Sequence, residues 1–137
     1  MDTISKLRHT MSDTKKVEQA IVDFVKGGDN SDVDLLDQVL HADFRVTNNG
    51  YMGAAGVTVF DKKAYLEKIR SGEFGGVPRE MQIEQVDRSG KIASVKLRIQ
   101  SCAFDFVSYN SLVLDTDDQW KIINNLAVVE QKDEHVH

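Results

Sequence analysis

One cysteine, one proline and no excess of cationic residues distinguish this 137-residue chain before any motif is considered. A lone cysteine, Cys102, excludes an intrachain disulfide framework and a cysteine-built metal cage, and suits a reducing compartment. It has no basic neighbour in sequence, so it reads as a buried, unreactive thiol. The formal net charge is -5, with a pI near 5.3. Such a chain lacks the clustered Lys and Arg that neutralise a phosphate backbone, and nucleic acid is not expected as a partner. The opening "MDTISKLRHTMSDTKK" has no continuous apolar run, so neither a signal peptide nor a membrane span is expected there. No two core histidines stand at ligand spacing, and "FGGV" lacks the Lys-Ser/Thr of a phosphate loop. "DNSDVDLLD" is acidic, but it lacks the glycine and terminal glutamate of a calcium loop and reads as a helix N-terminus. No metal or other cofactor is therefore expected, and the anticipated setting is cytoplasmic.

What is present is enough for one core, because 41% of the residues are hydrophobic and the length suits a single domain. Met11 offers a second start, so residues 1–13 read as a flexible arm, 14–131 as the domain and 132–137 as a flexible tail. Val17, Ala20, Ile21, Phe24 and Val25 recur at helical spacing from Thr14 to Lys26, with Gly27 and Gly28 expected to stop the helix. Residues 29–32 supply caps for a second helix carrying Val33, Leu36, Val39 and Leu40 and ending near His41. "DFRVTNN" alternates as a strand, and Gly50, Gly53 and Gly56 mark a hairpin or loop. Asp61 caps a third helix, "KKAYLEKIR", whose Ala64, Tyr65 and Ile69 face the core. After the loop "SGEFGGVPRE", which holds the only proline, the chain is nearly all strand.

Within that late region "KIASVKLRI" has one solvated face, whereas "AFDFVSYNSLVLD" is apolar on both. Phe104, Phe106, Leu112 and Leu114 share one side; Val107, Tyr109 and Val113 share the other. The last strand, "QWKIINNLAVVE", places Trp120, Ile122 and Asn124 on one face if it is regular, and Lys121, Ile123 and Asn125 on the other. Three helices in the first half, then a run of long strands, specify an α+β fold: a cone-shaped barrel with helices on a strongly bent, mixed but mostly antiparallel sheet. The mouth of such a cone is a natural ligand site.

The segments "VEQAIVDFVKGGDNSDVDLLDQVLHADFRV", "FDKKAYLEKI" and "YNSLVLDTDDQWKIINNL" resemble the nuclear transport factor 2-like superfamily, in particular its bacterial members labelled SnoaL-like or putative lumazine-binding. The resemblance runs from Lys15 to Val129. It implies a cone-shaped α+β domain, a homodimer formed through the outer sheet face, and a pocket for a small apolar or aromatic molecule. It does not select a function, because the superfamily holds isomerases, dehydratases, cyclases, binding proteins and dimerisation modules. One departure stands out: relatives carry an acidic residue just before the tyrosine where this chain has Ser108.

The leading reading is a small-molecule-binding domain with Tyr65, Tyr109, Asn124, Asp105 and Trp120 as the candidate pocket residues, Trp120 chiefly as core. The alternatives are an isomerase, dehydratase or cyclase using Asp105 or His41 as base, or a dimeric scaffold. His41 otherwise reads as a helix C-terminal residue facing the helix dipole.

Overall fold

The computed structural model describes residues 12–132; the termini read as arm and tail lie almost wholly outside the described residues. Helix α1 (Asp13–Asp29) starts where the Ser12 hydroxyl accepts the Lys15 N–H at 3.2 Å, one of the donors a helix start otherwise leaves unpaired. It buries Val17, Ala20, Ile21, Phe24 and Val25 as their spacing requires.

The helix does not stop at Gly27 and Gly28 but runs through both. Those glycines serve packing. A Cβ on Gly27 would lie 2.8 Å from the Leu36 side chain of helix α2 (Val33–Val39), so its absence lets the two helices touch. Asp32 caps α2 by accepting the Leu35 N–H at 3.1 Å. Helix α2 ends at Val39, because Leu40 is already extended and opens strand β1 (Leu40–Asn49); His41 is therefore a strand residue rather than the end of a helix.

A single 3-10 turn (Tyr51–Gly53) leads to β2 (Val57–Asp61). Asp61 then caps α3 (Lys62–Arg70), accepting the Ala64 N–H at 2.8 Å. The loop over residues 71–79 precedes β3 (Glu80–Ser89), β4 (Ile92–Gln100), β5 (Phe104–Leu114) and β6 (Trp120–Gln131). The strand order is β2-β1-β6-β5-β4-β3. Only β1 with β6 is parallel among the described pairs. The sheet is mixed and mostly antiparallel, and it is open, with β2 and β3 as edges rather than closed into a barrel.

The three helices described cover one face, with Phe44, Ile21, Leu36, Leu40, Leu97, Leu112 and Ile122 among the fully buried side chains between helix and strand. Two irregularities interrupt the ladders. One falls between Ile83 and Gln85 in β3; the other places Ser111 opposite Asn124 but Leu112 opposite Ile122, so that Ile123 is an extra residue in β6. Such bulges bend a strand and sharpen its twist. The second one also decides which asparagine faces inward.

Candidate functional site

A cavity of about 380 Å³ lies between the helix-covered face of β1, β4, β5 and β6 and the ends of α1 and α3, with the loop over 71–79 as its rim. The exposed lining residues Glu73, Gly75, Val77 and Cys102 mark its opening. The walls are apolar where Phe24, Val46, Ile69, Ile99, Phe106 and Val129 meet. Aromatic rings stiffen one side: Tyr65 lies 5.6 Å from Phe44, 6.1 Å from Phe24 and 6.2 Å from Phe74, centroid to centroid. Phe74 reaches across to Tyr51 at 5.6 Å and Phe60 at 5.8 Å. Offset and edge arrangements of this kind hold rings in fixed positions.

The loop is pinned rather than draped. The Gly76 N–H donates to the Gly28 carbonyl at 3.0 Å, and a Cβ on Gly75 would fall 2.3 Å from that same oxygen. Gly75 also has φ of +76°, so glycine is required there twice over. Four residues on, Arg79 donates through Nε to the Asp29 carboxylate at 2.5 Å and through Nη2 to the Val25 carbonyl at 3.4 Å. Its backbone N–H also reaches Asp29, at 3.2 Å. The ion pair locks the guanidinium against the end of α1, 5.5 Å from the Phe106 ring.

The amide and serine groups facing the middle of the cavity come from the sheet. Strand β5 turns Phe106, Ser108, Asn110 and Leu112 inward, so two polar residues stand in the middle of an apolar row. Asn125 donates Nδ2–H to the Asn110 side-chain oxygen at 2.6 Å, and Asn110 donates to the Ser108 hydroxyl oxygen at 3.1 Å. This chain satisfies the fully buried Asn110 and leaves the Ser108 proton free to donate into the cavity. Asn48 on β1 is buried, lines the cavity and makes no side-chain hydrogen bond among the described residues. The Tyr65 hydroxyl is likewise unpartnered there. Burial pushes its pKa up to about 12, with Arg79 opposing and Asp29 adding to the rise, so it stays a neutral donor at physiological pH. Tyr51 is raised as well, by burial and then by the Glu73 carboxylate.

Of the residues expected in the pocket, Tyr65 lines it and the others do not. Asp105 and Tyr109 share a face of β5, as their alternation requires, but that face is the outer one. Tyr109 is 50% exposed with the Lys96 ammonium 5.8 Å from its ring, and Asp105 sits 3.8 Å from Lys132. Trp120 is buried in the core below the cavity, its indole N–H donating to Asp13 at 3.3 Å. Asn124 does not follow Trp120 inward, because the extra residue Ile123 reverses the alternation; Asn125 takes that place. His41 lies away from the cavity, its Nδ1 accepting the Asp43 N–H at 3.0 Å and its Nε2 3.9 Å from the Asp115 carboxylate.

Cys102 is exposed rather than buried. It occupies the β4–β5 turn, where the Ser101 hydroxyl accepts the N–H groups of Ala103 and Phe104 at 3.3 and 3.0 Å and turns the thiol toward the opening. No group of His, Cys, Asp or Glu among the described residues is arranged to hold a metal ion. Sequence reasoning did not place Arg79, Asn48 or Ser108 in the pocket, and it set Asn125 on the face opposite Trp120. The available signal was Ser108 and Asn110 interrupting an otherwise apolar inward row.

A model of the family described as putative lumazine-binding matches residues 12–126. Solved structures share the fold at low identity. A nuclear transport factor 2-like protein of unknown function from Silicibacter pomeroyi is 13% identical over 95% of this chain and 100% of that one, with a TM-score of 0.73. A nuclear transport factor 2-like protein from Cytophaga hutchinsonii is 16% identical over 88% and 100%, TM-score 0.75. A ketosteroid isomerase-like protein from Erwinia carotovora atroseptica is 14% identical over 87% and 97%, TM-score 0.71. No curated protein matches the sequence. At these identities the structures speak to fold alone.

Proposed function

The chain belongs to the family described as putative lumazine-binding, and we propose that it is a binding domain whose cavity holds a small aromatic or apolar molecule. One observation carries this reading. Inside the opening, where Cys102 and Glu73 stand, the polar groups of the cavity are amides, hydroxyls and one guanidinium, set among apolar and aromatic walls. Its only carboxylate among the described residues, on Glu73, is exposed and held 3.1 Å from Lys68. Fixed donors and acceptors in an apolar enclosure orient a ligand. Proton abstraction needs a base within reach of the substrate, and Asp105 and His41 are both elsewhere. The family description points to lumazine, a bicyclic heteroaromatic with alternating N–H and C=O groups, which the free groups of Asn48, Ser108 and Asn125 suit.

Thermal unfolding in the presence of lumazine tests the reading. A ligand selective for the folded state adds about 2.7 kcal/mol at a hundredfold excess over its Kd, so the Tm should climb by several degrees as concentration rises. A Tm indifferent to lumazine and to both neutral and carboxylated bicyclic aromatics of its size would refute it.

A second observation supports a homodimer. The outer face of β5 and β6 exposes Tyr109, Leu126 and Val128 at 50%, 45% and 43%, a contiguous apolar patch of the kind that marks an interface. The single cysteine supports a cytoplasmic setting. No described helix is long and apolar enough to cross a membrane.

A further inference from the structure

Arg79 has more donors than the protein uses. Of the five N–H groups a guanidinium carries, Nε serves Asp29 and one on Nη2 serves Val25. The rest, both on Nη1 and one on Nη2, have no side-chain or backbone acceptor among the described residues, although Arg79 lines the cavity. Asp29 holds the Nε edge and so fixes the direction in which the free edge points.

The Tyr65 hydroxyl, also without a partner, approaches the same spot. A Cβ placed on Gly28 would be 3.0 Å from Arg79 Nη2 and 3.8 Å from the Tyr65 oxygen, so both donors border that one glycine of the cavity wall. Phe106 lies beside the guanidinium, 5.5 Å from its centre, and continues the apolar wall inward from that point. On the outer side Arg79 also borders a shallower groove of about 420 Å³ lined by Pro78, Gln100, Cys102 and Lys132, so it stands between the cavity and solvent.

A charged fork and a neutral hydroxyl, both without partners and bordering one cavity, suit an oxyanion, and a guanidinium matches a carboxylate in two parallel hydrogen bonds. Leaving such donors dry and unpaired in an occupied cavity would oppose binding of a wholly apolar ligand. We infer that the ligand is an organic anion, an aromatic carboxylate whose carboxylate sits on Arg79 and Tyr65 over Gly28 while its ring system extends along Phe106 into the cavity. This rests on the ligand-binding reading above and narrows it to a charge class.

Isothermal titration of the full chain with 2-naphthoate and with its neutral counterpart 2-naphthalenemethanol tests the inference. The carboxylate should bind about tenfold or more tightly than the alcohol, the scale of charge-assisted hydrogen bonds. Arg79→Gln should bring that ratio near one, and Tyr65→Phe should lower it part of the way. Where loss of the cation leaves Asp29 uncompensated and the single variant unfolds, the neutral pair Asp29→Asn/Arg79→Gln is the comparison, with the same ratio near one expected. Equal affinity of the two probes for the unaltered chain, or a ratio that survives removal of Arg79, overturns the anion inference while the binding reading stands. Absence of binding by both probes also overturns the anion inference, and the binding reading is then decided by the lumazine test alone.

Discussion

Asn125 donates its side-chain N–H to the side-chain oxygen of Asn110 at 2.6 Å across the β5–β6 pair, and both residues are buried. In a regular β6 that bond could not coexist with an inward Trp120, since the two are five positions apart and would face opposite sides. Ile123, the extra residue, brings them to the same face.

Truncating Asn125 leaves the fully buried Asn110 oxygen without its donor. Asn125→Ala should therefore cost about 1 to 3 kcal/mol in urea unfolding, the penalty for an unsatisfied buried group. Asn124→Ala, on the outer face and without a side-chain bond, should stay within about 0.5 kcal/mol. Equal costs would show that the inward asparagine has been misassigned.

Gly75 and Gly72 lie in one loop and both have positive φ, +76° and +82°. Their surroundings differ: open space surrounds Gly72, while a Cβ on Gly75 meets the Gly28 carbonyl oxygen at 2.3 Å. Gly72→Ala should cost about 1 kcal/mol from backbone strain alone. Gly75→Ala must also displace the loop from α1, so its loss of Tm should be clearly the larger of the two.

Tyr65 carries a phenol that burial pushes up to about 12. Its folded pKa exceeds its unfolded one, so the folded state holds the proton more tightly. The associated stability is complete below pH 10 and declines as pH rises from about 10 to 12, by an amount of order 2 kcal/mol. Chemical denaturation of the unaltered chain and of Tyr65→Phe across that range should give curves that lie close together at neutral pH, where the unpartnered hydroxyl adds little, and diverge above pH 10 as the unaltered chain loses stability. Parallel curves would place the phenol in water.

The outer patch offers the test of assembly. Light scattering at tens of micromolar should report a dimer, and Tyr109→Lys with Leu126→Lys should yield a folded monomer, because a charge in the apolar centre of an interface is costly to desolvate. A monomeric unaltered chain would remove the dimer from the reading.

Much of the fold could be read from local patterns. The 3-4 spacing of Val17, Ala20, Ile21 and Phe24, the caps at Asp32 and Asp61, and the two-sided apolar alternation of β5 each depend on neighbours within a few residues. Helix starts and strand faces are local properties, so sequence alone reveals them. The glycines at 27 and 28 misled for the opposite reason: their role is to admit Leu36 and to face Arg79, contacts with residues distant in the chain or on another element.

The site was less legible. Tyr65 could be placed inward because helical periodicity is regular, whereas Asp105 and Tyr109 could be assigned to a shared face but not to inside or outside. Arg79 has no periodic context at all; its place follows from Asp29, fifty positions earlier. By itself the sequence determined an α+β chain, the faces shared by the residues of β5, and the resemblance to the superfamily whose fold the chain adopts. Only the tertiary structure decided which face encloses the cavity and that Asn125 rather than Asn124 enters it. The physical reason lies in β6, where one residue is accommodated as a bulge only when β5 is paired beside it, and no local propensity of "KIINN" records that partner.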